Sequence, residues 1–214
     1  MSTGEATKHR LLDAAEVLFA RRDYAATSVR DITQAARCNI ASVNYHFGSK
    51  QNLYEQMFDR LLERLRAQRE GAMAEVMARP RVKLEQVLRR YAEVFLDLMA
   101  DNPEECQQHL ALFMREMTEP HLPRGMMFKN MIGPTKQMLR RAFTRMCPGM
   151  DDLTIDLCIH SVVGQLLHVL HARAMLAHAG VDDAPILDTD RAVDHIVRFS
   201  DAAMKALAKK GRHE

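Results

Sequence analysis

Apolar side chains recur along this chain at intervals of three and four, and that spacing predicts helices almost throughout. Leu11, Leu12, Ala15, Leu18 and Phe19 form a stripe on a first helix over about 7–21. A second helix opens at Ser28, whose hydroxyl can accept from the Asp31 amide while the Asp31 carboxylate reaches back, an S-x-x-D variant of the capping box. It carries Val29, Ile32 and Ala36 on one face and ends around Arg37. The third, about 40–47, is short, with Ile40, Val43 and Phe47 as its inward positions. A fourth starts near Ser49 with a stripe of Leu53, Met57, Leu61 and Leu65. It stops by Arg79, because the residue before Pro80 is pushed out of helical geometry.

Five more helices follow. Val87, Leu88, Tyr91, Phe95, Leu98 and Met99 mark the fifth. Asn102-Pro103-Glu104-Glu105 reads as an N-cap, a Pro at the first helical position and two acids at the positive end of a helix dipole, opening a sixth helix that runs to Pro120. A seventh is expected over about 125–147, kinked at Pro134. The eighth, about 152–179, ends at Gly180 and is apolar around most of its circumference, through Leu157, Ile159, Val162, Val163, Leu166, Leu167, Val169, Leu170 and Met175. Such a helix must be buried against its own body and something more. A ninth, about 190–210, presents Val193, Ile196, Val197, Ala203 and Leu207. No alternating β-branched run competes, and with nine Gly and seven Pro in 214 residues the fold class is all-α, with about nine helices.

Composition narrows the function classes. The chain is 47% hydrophobic, enough for one or two cores of ordinary domain size. No apolar run approaches the roughly 20 residues that span a bilayer, and MSTGEATKHR has no apolar signal-peptide centre. A cytoplasmic protein without a membrane partner is therefore expected. Cys38, Cys106, Cys147 and Cys158 form no CxxC pair, which argues for buried thiols over a zinc knuckle or a disulfide framework.

The net charge of +2 says little, but its distribution says more. Residues 1–60 hold eight Lys and Arg against seven acids, yet no carboxylate lies between Asp31 and Glu55, where Arg37, His46 and Lys50 remain. A surface that approaches phosphates benefits from that gap. On the third helix Ala41, Ser42, Asn44, Tyr45 and His46 are left pointing away from the core. Small residues permit close approach to base edges, Asn can pair with adenine, and Ser, Tyr and His can donate to phosphate oxygens. Two short helices about three residues apart have the shape of a helix-turn-helix whose second member enters a major groove; the plain alternative is a helical hairpin.

TSVRDITQAA, from Thr27 to Ala36, with SVNYHFGSKQNLY, from Ser42 to Tyr54, resembles the DNA-binding domain of TetR/AcrR-type transcriptional regulators. The resemblance covers about residues 7–60. It implies a three-helix head and a larger helical regulatory body, used as a dimer. On that basis 1–49 is the helix-turn-helix domain, and 50–214 is the ligand-binding and dimerisation domain. Thr27, Ser28 and Lys50 match positions that typically touch phosphates; Ser42, Asn44, Tyr45 and His46 match positions that face the groove or its backbone edge. Arg37 and Asn39 in the turn and Ala41 complete the candidate DNA-contacting set. Where the family usually has Gly in the turn, this chain has Arg37, and a side chain in a left-handed conformation there costs on the order of 1 kcal/mol. A phosphate contact could recover it.

LFMREMTEP, from Leu112 to Pro120, and SVVGQL, from Ser161 to Leu166, further resemble the regulatory domain of the CecR-like subgroup, in which an Arg-Glu pair precedes a Pro-containing loop. This implies a response to small apolar or antimicrobial compounds. Fifteen Met is a high count, and flexible Met suits a pocket for varied apolar ligands, although a Met stripe is also ordinary core. Phe95, Phe113, Met114, Met117, Met131, Met138 and His168 are the candidate pocket residues. His160, His168, His171 and His178 on the eighth helix lack the partnering ligands of a metal site, so polar interface or pocket histidines are expected, with no metal and no cofactor. The last two helices resemble the paired C-terminal helices that form a four-helix dimer interface. A ligand-responsive repressor reading a near-palindrome in double-stranded DNA follows. A helical enzyme using these histidines, or an adaptor that binds no DNA, is the competing class. The enzyme lacks a Ser or Cys nucleophile motif, a Gly-rich phosphate loop and paired carboxylates, so no catalytic residue is assigned.

Overall fold

The computed structural model describes residues 3–97, 103–181 and 183–210. Those residues form nine α-helices and no strand, the all-α class expected. They group into two compact units: 1–64 with 102–131, and 65–101 with 132–214. This grouping cuts across a division at residue 49, because a segment far along the chain joins the N-terminal helices.

The first unit contains α1 (Thr3–Arg21), α2 (Val29–Ala35), α3 (Ala41–Phe47), the part of α4 (Lys50–Met77) up to Arg64, and α6 (Pro103–Thr118). Leu11, Ala15, Phe19, Ile32, Val43, Phe47, Leu53, Met57, Phe58 and Leu61 are buried, so the inward stripes of α1 to α4 are largely as the periodicity predicts. Ile40 departs from it. It precedes α3 as the N-cap residue and is 56% exposed, because the helix starts one residue later and only Val43 and Phe47 reach the core. Helix α6 packs along α1, and Phe113 meets Phe58 edge-on at 6.1 Å.

The second unit contains the remainder of α4, α5 (Leu84–Asp97), α7 (Gly133–Met146), α8 (Asp152–His178) and α9 (Thr189–Lys210). Helices α5 and α9 pair, with Arg89 meeting Asp194 at 2.7 Å across them; Val87, Leu88 and Tyr91 of α5 and Val193, Ile196 and Val197 of α9 are buried. Arg140 and Lys136 of α7 reach Asp156 of α8 at 2.6 and 2.8 Å. Arg173 of α8 donates to the Thr189 hydroxyl at 2.8 Å, holding the turn into α9. Gly180 has φ 69, and Val181 donates to the Leu176 carbonyl, the left-handed termination expected for α8.

Residues 126–146 are helical without a break, and a π-helical turn, Phe128–Ile132, stands directly ahead of Gly133 and Pro134, the kind of wider turn at which helices bend. Two other expectations change. Cys38 is half-buried, while Cys147 and Cys158 are buried thiols. On α9, Ala203 and Leu207 face solvent within this chain, with Leu207 43% exposed. Leu98, Met99 and Asn102 lie outside the described residues, as do the side chains of Cys106 and His178.

Candidate nucleic-acid interface

The reading surface is built from local capping. Ser28 Oγ accepts from the Asp31 amide at 3.1 Å and Asp31 Oδ2 accepts from the Ser28 amide at 2.9 Å, so both halves of the predicted capping box are present. The Ser28 hydrogen bonds hold the Asp31 carboxyl below its ordinary pKa. The chain then turns through Arg37, which has φ 52, the left-handed conformation that a glycine would occupy without strain. Asn39 Oδ1 accepts from the Ala41 amide at 2.9 Å and so starts α3. Gly48, at φ 77, stops α3, and Ser49 Oγ accepts from the Asn52 amide at 3.1 Å to open α4.

With Val43 and Phe47 buried, α3 turns Ala41, Asn44 and Tyr45 outward and leaves Ser42 and His46 half-exposed. Tyr45 is 86% exposed, its ring edge-on to His46 at 4.9 Å. Nothing within the described residues covers this ring, so its face and hydroxyl stand at the surface. Exposed Ile40 adds an apolar contact beside them, the kind that suits a thymine methyl. Arg37 is exposed at the same turn.

Two candidates sit differently from the expectation. Thr27 is completely buried and its hydroxyl donates to the Asp23 carbonyl at 2.9 Å, so the side chain closes the loop before α2 and does not offer a phosphate contact. Lys50 is half-buried: its Nζ donates to the Tyr24 carbonyl and stands 4.0 Å from the centre of the Tyr24 ring. Burial lowers the pKa of its ammonium. To reach a phosphate this chain must be released from Tyr24.

What holds the head is the pair that the sequence marks in LFMREMTEP. Arg115 Nη1 lies 2.7 Å from each of the Phe19, Ala20 and Arg22 carbonyls, which α1 leaves unpaired at its C-terminus. Glu116, buried, accepts from the Tyr54 hydroxyl at 2.9 Å and from the amides of His121 and Leu122 at 2.9 and 2.7 Å. Burial, then the Glu116 carboxylate, pushes the Tyr54 hydroxyl far above its ordinary pKa. A cavity of about 230 Å³ lies beside these groups, lined by Phe19, Tyr24, Tyr54, Leu112, Arg115 and His121 among others.

A second cluster ties α1, α4 and α6 together. Glu16 receives Arg64 at 2.8 Å, His109 at 2.9 Å and Arg60 at 3.1 Å, and Arg60 also meets Asp13 at 2.7 Å. Burial raises the Glu16 pKa, but the His109 hydrogen bond and the Arg64 charge and hydrogen bond outweigh it and hold the carboxyl at about 2. Sequence periodicity missed Arg115, Glu116 and this cluster; the Arg-Glu motif was the only pointer.

The pocket candidates are not brought together in one unit. Phe113, Met114, Met117 and Met131 belong to the first, with Met117 75% and Met114 37% exposed; Phe95, Met138 and His168 belong to the second, with Phe95 buried and His168 exposed. His160 and His171 are exposed, and no group of three or more metal-ligating residues occurs among the described residues.

This arrangement, a capped helix, a strained turn and a short exposed helix free of carboxylates, is that of a helix-turn-helix transcriptional regulator. The family model "Bacterial regulatory proteins, tetR family" matches residues 11–57, and that of "HTH-type transcriptional dual regulator CecR, C-terminal domain" matches residues 84–204, more than half of the chain. The chain belongs to the TetR family of DNA-binding transcriptional regulators, with a CecR-type C-terminal domain. It is 33% identical over 57 residues to the "Probable HTH-type transcriptional regulator YttP" of Bacillus subtilis (strain 168), covering 27% of this chain and 28% of that one. Over 49 residues it is 39% identical to the "Biofilm operon icaADBC HTH-type negative transcriptional regulator IcaR" of Staphylococcus aureus (strain Newman), covering 23% and 26%. The chain thus matches only about a quarter of the length of these relatives. Among solved structures, a TetR family transcription regulator from Marinobacter aquaeolei VT8 aligns over 93% of this chain and 95% of its own, with a TM-score of 0.69 at 16% identity. FadR from Bacillus subtilis, in complex with stearoyl-CoA, aligns over 88% and 97%, with a TM-score of 0.68 at 12% identity. At these identities the likeness is one of fold.

Proposed function

We propose that the chain is a ligand-responsive repressor that binds a near-palindromic operator as a homodimer. The observation that carries the DNA-reading part is α3: Ala41, Asn44 and the 86% exposed Tyr45 project together from a helix without a carboxylate. Asn44 and Tyr45 read or flank base edges, Ile40 contacts a thymine methyl, and Ser28, Asn39, Ser42, His46 and Arg37 lie within the backbone-contacting rim. Lys50 joins them once it leaves Tyr24. Two such helices in a dimer enter successive major grooves roughly 34 to 36 Å apart.

Dimerisation is supported by what α8 and α9 leave in water. Leu153, Leu157, Leu167 and Met175 of α8 and Phe199 and Leu207 of α9 are each more than 40% exposed. Covering such side chains is worth about 1.5–3 kcal/mol apiece when complete. Helix α8 is also the one described helix long and apolar enough to cross a membrane, but one face packs on α7 and α9. A partner's α8 and α9 account for the remainder without a bilayer. Repression is supported by the IcaR likeness and ligand response by the CecR-type domain, which spans most of the second unit. Helix α4, continuous from Lys50 to Met77, carries a ligand's preference for one conformation to the head.

The test is a mobility-shift selection with fragments of the host genome at stated salt, repeated with Tyr45→Ala. Selective retention of a few fragments, lost in the variant without loss of folding, is expected. Uniform retention of all fragments, or none, overturns the reading.

A further inference from the structure

On α4 and α5, arginines at the surface have their carboxylates: Arg66 meets Glu70 at 3.0 Å, Arg79 meets Glu75 at 3.0 Å, Arg89 meets Asp194 at 2.7 Å, and Arg90 approaches Glu75 and Glu93 at 3.5 and 3.8 Å. The buried one does not. Arg69 is 8% exposed, its Nε has no hydrogen-bond partner, and no carboxylate among the described residues pairs with its guanidinium. What it touches is an aromatic face, with the Phe95 ring centre 4.6 Å from the guanidinium carbon. Beside it is Tyr91, 1% exposed, whose hydroxyl also has no partner. The two feel each other electrically: burial pushes the Tyr91 hydroxyl up to about 12 against the opposing pull of Arg69, and burial lowers the Arg69 guanidinium.

A buried cation without a counter-charge is among the least favourable arrangements a core can hold. Contact with a ring face supplies only part of what water gave up. A trapped water would satisfy a hydrogen bond but not the charge. The missing partner is therefore an anion, and the groups present state its geometry. A guanidinium offers a planar fork that matches a carboxylate, Tyr91 offers a second donor, and the Phe95 ring, 4.6 Å from the guanidinium carbon, offers an apolar face.

We propose that Arg69 and Tyr91 form the anion-recognising end of the effector site, and that the effector is an organic acid, a carboxylate on an apolar body. This rests on the ligand-responsive reading above and narrows it. An effector without charge leaves Arg69 unpaired, whereas an acid on an apolar body pairs it and sets that body against the Phe95 ring.

The experiment uses the full chain without DNA, titrated with decanoate and 4-phenylbutyrate and with the matching alcohols, decanol and 4-phenylbutanol. Calorimetry and Tm are the readouts, for the parent and for Arg69→Met and Tyr91→Phe. The acids are expected to bind the parent at least about tenfold more tightly than the alcohols, a preference Arg69→Met abolishes and Tyr91→Phe weakens. Without ligand, Arg69→Met is expected to raise Tm by about 3 °C or more, because an unpaired buried charge is replaced by an apolar chain of similar length. Acids that bind the parent no better than alcohols, including no binding by either, overturn the proposal. So does an Arg69→Met protein that keeps the preference or is less stable than the parent, which would reveal an internal counter-ion. Operator binding measured on the same samples separates the two readings. Its absence from the parent removes the regulator, while its presence with no acid preference removes only the anion site.

Discussion

At the scale of single residues, Arg37 and Glu16 show how one side chain can be held against its own preference. Arg37 keeps φ 52 although a Cβ disfavours that conformation. Arg37→Gly is expected to stabilise the head by up to about 1 kcal/mol in urea denaturation. If the exposed guanidinium meets a phosphate, the same change lowers the slope of log affinity against log salt by about 1; an unchanged slope rules the contact out. Glu16 is held at about 2 in the folded state against an ordinary 4.5. A depressed carboxyl pKa contributes stability that is complete above the unfolded value and is lost as pH falls through the folded one, so the window runs from about 4.5 down to about 2. Glu16→Gln is expected to be less stable at pH 7 by on the order of 2–3 kcal/mol and to show a flatter acid limb in that window, read as urea midpoint against pH.

At the scale of elements, the head is a set of short helices that cannot stand alone. Helices α2 and α3 are seven residues each, well below the length at which an isolated helix is stable in water. They depend on their caps and on α1, and α1 depends on Arg115. Arg115→Gln withdraws charge-assisted bonds from carbonyls that have no other donor, and it is expected to cost about 2 kcal/mol and to weaken operator binding. Arg115→Lys is not expected to restore it, since a compact ammonium lacks the spread of the guanidinium. Measured stability equal to the parent in both variants would contradict the clamp. The caps themselves were readable from Ser28 and Asp31, and Gly48 and Gly180 ended helices where their neighbours' pattern ended. Ile40 was not, because a periodic stripe does not say at which residue a short helix begins.

At the scale of the whole molecule, the outcome depends on surfaces that this chain alone leaves open. Changing Leu157 and Phe199 together to Glu is expected to convert the protein from dimer to monomer in concentration-dependent mass measurements. Operator affinity is expected to fall by roughly a hundredfold as the second head's effective concentration is lost. A parent that is monomeric at micromolar concentration would sink the dimer. Local regularities in the sequence were enough to determine about nine helices and the polar face of α3, because spacing and capping act within a few residues of one another; the left-handed turn at Arg37 was legible only through the resemblance to a family that usually has Gly there. Only the tertiary structure decided that Thr27 closes a loop, that Lys50 rests on Tyr24, that Arg115 binds the end of α1 from more than 90 positions away, and that Arg69 is buried without a counter-charge. Those facts depend on which helices pack together and at what register, and no period along the chain encodes that.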